Sequence, residues 1–490
     1  MNDINIITCI ILLFSFIPLI LAELARANSL PSVEDFFICS RDMGTFLAFF
    51  TIYSTWYSTF AVMGSSAYFY AEGPLYMTSF AWNALFAVLI FFIGKRIWFL
   101  GKLNDYITPT DFFTDIYQSK PLSVIVTAIL LVFTLPYIQI QFVGGAYLIE
   151  LATDGSIPWE MAGFIFYIVM IVYMWAGGLR AVAMADVFLG ILVFFTLIAT
   201  GFFLTYKAGG LINVFTTTTD DSTVSPHSIY DGSYRNIFLW LTMFIVTPLG
   251  AIMTPPMWIR HYAIRGEKTF HILPFLITIA TAGYIGSMLA GNASRALDPT
   301  LTPNDMIIPC ILMEYGDKLI TAILFCGFAA ASLSTANSQI HALSTIYTID
   351  IHKKWINKSI SNARLSFVAK CSILAFSIIT YAIMIMQPGI IIDTGLLTLS
   401  GTAQLLIPTI GGIFWKRSTR SAATAGLSTG IITLICLYFF FRLEPSYCGT
   451  IALFANALIF FTISISSEPD SKVRTKIVEY QLAYRKRNCK

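Results

Sequence analysis

Two stretches of this chain gather hydroxyl groups where their surroundings are otherwise hydrocarbon. FFTIYSTWYSTFAVMGSSAYFY, beginning at Phe49, brings together Ser54, Thr55, Ser58, Thr59, Gly64, Ser65 and Ser66. GFAAASLSTANSQIHALST, beginning at Gly327, holds Ser332, Ser334, Thr335, Asn337, Ser338 and Gln339. Hydroxyls and freed backbone carbonyls are hard oxygen donors, and a small hard cation such as Na⁺ takes about five or six of them at short range. Adjacent Ser334 and Thr335 offer two hydroxyls from one helical turn, and a broken helix elsewhere would add bare carbonyls. The same residues also fit a packing role. Ser and Thr inside lipid-embedded helices often bond the carbonyl four residues back, and small-residue runs such as GFAAAS let helices approach closely. Spacing alone leaves both readings open.

The elements that hold these residues are set by composition. Of 490 residues, 57% are apolar and 12% charged, with mean hydropathy +0.74. A soluble domain is about 45–50% apolar and about 25% charged, so a folded aqueous protein could not hide this much hydrocarbon. The expectation is one integral, all-α membrane domain over residues 1–465, with a basic tail at 466–490. Thirteen hydrophobic runs are long enough to cross a bilayer, among them 43–70, 236–259 and 319–346. The leader MNDIN lacks Lys and Arg, so the first run reads as an uncleaved helix with its N-terminus outside rather than a secretory signal. That orientation puts 24 of the 30 Lys and Arg in cytoplasmic segments, Arg260, Arg265 and Lys268 among them. It leaves Lys207, Arg235, Arg295, Lys318 and Arg442 outside and Lys370 in a span. Such asymmetry is the positive-inside rule for a plasma or inner membrane protein whose C-terminus is cytoplasmic. The loop from 207 to 234 reads as polar and mobile, and the tail as a surface tether at the headgroups.

Other functions find little support. The net charge of +3 is too small to imply a nucleic-acid partner, which leaves the lipid bilayer and a small solute as expected partners, with no obligatory protein partner evident. The eight cysteines are scattered without a CxxC, and neither HExxH nor GxxxxGK[ST] occurs. The five histidines have no catalytic or metal spacing, so neither an enzyme nor an organic cofactor is expected. A proton-coupled or uncoupled carrier stays open as an alternative. So does a membrane sensor, although the tail is too short for a kinase.

Four motifs then carry a resemblance. Ala331-Ser332-Leu333-Ser334-Thr335, the run AGGLRAVAMADVFLG at 176–190, VEDFFICSRDM at 33–43 and YITPTDFFTDIYQS at 106–119 follow one another in the order found in the sodium:solute symporter family. That family includes the proline, pantothenate, monocarboxylate and sugar symporters. The resemblance implies a LeuT-type fold with two inverted five-helix repeats at about 43–206 and 236–415, each opening on a discontinuous helix. Pro255 and Pro256 suit a break or a helix end in the second of these. It also implies Na⁺ as coupling ion, held by the Ala331 carbonyl, the Ser334 and Thr335 hydroxyls, and carbonyls of Ser54 and Tyr57. Asp186 would supply negative charge on the ion path, with Arg180 or an ion as its partner. Trp56, Ala185, Leu189 and Ile116 depart from the family pattern. A substrate pocket is expected from Trp56, Tyr57, Phe60, Tyr137 and Trp240. The second and ninth spans carry no deep extra charge, which favours an amino acid, a monocarboxylate or a pantothenate-like solute over a strongly charged ligand.

Overall fold

Backbone amides in hydrocarbon must find partners within the chain, and helices satisfy them locally. The computed structural model is accordingly all-helical, apart from one isolated bridge, over the residues it describes: 6–27, 32–175, 178–220, 234–301, 305–386, 391–468 and 470–488. The first half comprises α1 (Ile6–Ala27), α2 (Val33–Ile38), α3 (Thr45–Trp56), α4 (Phe60–Glu72), α5 (Leu75–Leu103), α6 (Pro109–Tyr117), α7 (Lys120–Ala152), α8 (Trp159–Trp175), α9 (Gly178–Lys207) and α10 (Leu211–Asp220). The second comprises α11 (Tyr234–Met253), α12 (Pro255–Ala263), α13 (Thr269–Leu297), α14 (Ile307–Tyr315), α15 (Lys318–Ile356), α16 (Asn362–Met386), α17 (Ile391–Phe414), α18 (Arg420–Phe440), α19 (Pro445–Ser466) and α20 (Ser471–Asn488).

Ten of these helices are long and apolar enough to cross a membrane, eleven when α3 and α4 are taken as one span bent by 58°. The apolar parts of α1 and α8, Ile6–Ile17 and Trp159–Val172, are shorter than that. Burial sorts the rest. The apolar windows of α15 and α17 are each 83% buried, against 28% for α18 and 33% for α16. The centre of the molecule is therefore built on α15 and α17, and α16 and α18 turn most of their surface outward.

Two expectations need correcting. Part of the stretch read as a mobile loop, Leu211–Asp220, is helical; residues 221–233 lie outside the described residues. The tail is no free tether, because α20 buries Val473, Ile477 and Tyr480, spaced one turn apart, against the protein.

Candidate functional site

The two breaks have separate local causes. Tyr57 closes α3 with φ −85° and ψ 69°, well off helical values. The groups freed there are met by side chains: Thr59 N–H donates to Gln141 Oε1 of α7 at 3.1 Å, and Phe60 N–H to Ser58 Oγ at 3.2 Å. α7 can come this close because Gly144 faces the break, where a Cβ would lie 2.3 Å from Thr59 Cγ2. In the second half of the chain, Thr254 is extended (φ −65°, ψ 146°), and Pro255 and Pro256 start α12 without needing amide partners. Of the two meanings open for the proline pair, the break holds. α3 and α12 are tied to each other at their ends away from these breaks. Met43 N–H donates to Ala263 O at 3.0 Å, and Arg265 N–H to Met43 O at 2.9 Å.

The end of α3 meets the middle of α15. Ser334 Oγ lies 3.0 Å from Ser54 O and 3.2 Å from Ala331 O, while Thr335 Oγ1 lies 3.2 Å from Ser54 O and 3.3 Å from Thr55 O. Two hydroxyls and three carbonyls thus converge, at the C-terminal end of a half-helix whose dipole is negative. All five residues are buried. Thr55, singled out in the sequence for its hydroxyl, enters through its carbonyl, a role that was not anticipated. Tyr57 adjoins the cluster, but its hydroxyl donates to Ala280 O at 3.0 Å, and the bonds that gather the other atoms do not reach its carbonyl.

Beneath this cradle is a charged pair that sequence reasoning missed in part. Asp186 of α9 is fully buried and its partner is Arg260 of α12, at 3.3 Å. Thr51 joins both, donating to Asp186 Oδ2 at 2.5 Å and accepting from Arg260 Nε at 2.9 Å. Arg260 also donates to Ser338 Oγ at 2.5 Å, and Ser338 accepts from Thr55 at 2.9 Å. Arg180, the partner expected for Asp186, is engaged elsewhere: its guanidinium holds Asp35, with Nη2 2.6 Å from Oδ1. The charge count assigned Arg260 to a cytoplasmic segment. It lies in the core, 1% exposed, because the helix restarts at the proline pair and turns its first full turn inward. The available signal was an arginine four residues after a Pro-Pro break.

Around the α3–α4 break the polar groups are neutral. Trp56 Nε1 donates to Asn83 Oδ1 at 2.5 Å and its ring stacks on Phe86. Ser58 Oγ lies 3.1 Å from the Tyr137 hydroxyl, and Thr59 Oγ1 lies 2.7 Å from Ser332 Oγ. Phe60 packs on Gly395 of α17. Trp240 sits apart: half-buried, it stacks on Phe244 and meets α5 at Thr78. Trp56 and Tyr137 thus meet the break, together with Asn83 and Gln141, which the sequence did not single out.

Residues 36–430 match the profile described as the sodium:solute symporter family. The chain belongs to that family. It is a Na⁺-coupled symporter of a small solute and not an enzyme. It is 27% identical over 405 residues to the sodium/pantothenate symporter of Escherichia coli strain K12, covering 81% of this chain and 83% of that one. With the sodium/pantothenate symporter of Haemophilus influenzae it shares 25% over 419 residues, 83% and 84% of the two chains. In fold it is similar to a Na⁺-coupled sialic acid symporter solved in a substrate-bound outward-open state, with TM-score 0.82 and 17% identity over 96% of this chain and 100% of that one.

Proposed function

We propose that this symporter carries an amino acid, a monocarboxylate or a pantothenate-like solute inward across a plasma or inner membrane, with Na⁺ held where α3 meets α15. The observation that supports this most is the convergence of Ser334 and Thr335 on the Ser54 carbonyl. The cation's ligands are the Ala331, Ser54 and Thr55 carbonyls and the two hydroxyls. Tyr57 contributes its carbonyl once the break adjusts to the ion. The neutral amides and hydroxyls at the break suit a solute read by hydrogen bonds, with any carboxylate drawn to the N-terminal ends of α4 and α12. That the named relatives include two sodium/pantothenate symporters supports a small polar acid with hydroxyl or amide groups.

On this reading α3–α9 and α11–α17 are the inverted repeats, each opening on its broken helix. α1, α8 and the bent pair complete thirteen crossings, with the N-terminus outside and the tail in the cytoplasm. Alternating access is then the rocking of α3–α5 and α11–α13 against the frame of α7, α8, α15 and α16. Asp186 and Arg260 lie between the cradle and the cytoplasm, where the ion leaves.

The test is counterflow in proteoliposomes, using labelled amino acids and short carboxylates, pantothenate included, with and without a Na⁺ gradient. Uptake should require Na⁺. Ser334→Ala/Thr335→Ala should lower it by more than about tenfold at limiting Na⁺, and Thr335→Ser should retain it. Uptake indifferent to Na⁺ and to the double substitution would instead mean a facilitator or a proton-driven carrier.

A further inference from the structure

The C-terminal helix α20 reaches across elements that alternating access must separate. Its N-terminal part, through Gln481, is fixed to α6 and to the end of α17, both outside the rocking set, and α6 is itself tied to the frame helix α15, where Lys354 Nζ lies 2.6 Å from Asp111 Oδ1. Tyr480 donates to Asp115 of α6, Lys476 Nζ lies 2.9 Å from Asp115 Oδ1, and Gln481 Nε2 donates to the Ile413 and Phe414 carbonyls at the end of α17. Burial pushes the Asp115 carboxyl up, but hydrogen bonds from Tyr106 and Tyr480 and the Lys476 ammonium outweigh it and hold the group charged. Val473 and Ile477 are fully buried beneath this half.

Its second half grips the other side. Arg487 Nε lies 3.2 Å from Glu267 Oε2 in the turn after α12, and its guanidinium covers the Trp98 ring of α5 at 4.6 Å. Glu267 is shared with Lys95 of α5 at 2.6 Å, which joins the inner ends of α5 and α12 into one unit. Arg96 is held between Phe414 of α17 and Tyr484 of α20, at 4.5 and 4.4 Å.

These two grips differ in kind. The frame side is anchored by buried apolar side chains and a shared carboxylate. The α5 side depends on an ion pair whose side chains are 37% and 26% exposed, much like the Lys476–Asp115 pair at 30% and 27%, together with rings and cations in layers, but with none of the buried apolar anchors. Partly exposed pairs contribute little each and are broken at small cost, so the α5 end, which lacks the buried Val473 and Ile477, is the one that can let go.

We propose that α20 is a cytoplasmic strap: it clasps the inner ends of α5 and α12 to α6 and α17, keeps the inner gate shut, and must release its α5 end for the solute and Na⁺ to leave. This rests on the alternating-access reading above. It adds that the tail, rather than serving as a headgroup tether, sets when the inner mouth opens.

The experiment is a cleavable cross-link in the full chain with its eight native cysteines replaced by alanine. One pair, Arg487→Cys with Glu267→Cys, joins the strap to the side that must move; the control pair, Gln481→Cys with Phe414→Cys, joins it to α17, outside the rocking set. A bifunctional methanethiosulfonate long enough to span an Arg–Glu contact is applied in proteoliposomes, and Na⁺-driven uptake is read before cross-linking, after it and after thiol cleavage. The expected result is a fall of more than about tenfold for the 487–267 pair, reversed by thiol, and little change for the 481–414 pair. Full cross-linking of 487–267 with uptake unchanged overturns the strap. Equal losses from both pairs also overturn it, since immobilising the helix anywhere would then suffice. Uptake before cross-linking reports the symport reading by itself, so a failure of that reading shows as Na⁺-independent uptake at the outset.

Discussion

Arg260 and Asp186 are 1% and 0% exposed, and the Thr51 hydroxyl sits between them. Taking one partner away leaves a charge in the interior without its counter-charge, at a cost of about 3–5 kcal/mol, whereas removing both is far milder. Arg260→Gln and Asp186→Asn should therefore each lower the melting temperature of the detergent-solubilised protein strongly, and the double substitution should recover part of the loss. The check is the full thermal double-mutant cycle; losses that simply add would mean the two groups are not coupled. The same residues mark the limit of what the sequence tells. Ser334 and Thr335 stand out as a hydroxyl pair in an apolar span, although spacing alone leaves a packing role equally open and only the family resemblance points to an ion. Arg260 does not, because counting charges by loop assigns a residue to whichever boundary is nearest, and only the geometry of the restarted helix turns it inward.

At the scale of elements, the broken helices and the crossings are set by residues that lack something. Pro255 and Pro256 lack amide protons, and this was readable as a break or an end. The break in α3–α4 has no proline, and its freed amide is met by Gln141 from α7, a partner 82 residues away that no local pattern reveals. Glycine supplies the other absence. α9 and α13 cross at Gly201 and Gly286, where a Cβ on Gly286 would stand 2.1 Å from the Leu197 carbonyl. Backbone on that side cannot yield as a flexible side chain would, so Gly286→Ala should destabilise the fold by about 1–3 kcal/mol. Gly44→Ala meets nothing within 4 Å and serves as the neutral comparison. Thermal unfolding of the two variants side by side is the measurement. Equal melting temperatures would show that the two helices can separate without penalty.

For the molecule as a whole, the cation cradle and the helix break share one element. Ser54 and Thr55, whose carbonyls converge on Ser334 and Thr335, lie within one turn of the Tyr57–Thr59 break, the proposed meeting place of the solute. On the proposed reading, a cation pulling those carbonyls toward α15 fixes the end of α3, and with it the geometry the solute meets. Binding of each should strengthen the other, and linkage requires the two factors to be equal, typically 5–150-fold. Composition predicted that the chain is a membrane bundle, but not this coupling, which depends on α3 ending where α15 presents its hydroxyls. Two titrations on purified protein measure it: solute affinity with Na⁺ present or replaced by choline, and Na⁺ affinity with and without solute. Matching factors of several-fold or more, abolished by Ser334→Ala/Thr335→Ala, are the expected result. A factor of one in both directions would mean that the ion and the solute occupy parts of the molecule that do not communicate through α3, and the driving ion would then have to be sought elsewhere in the bundle.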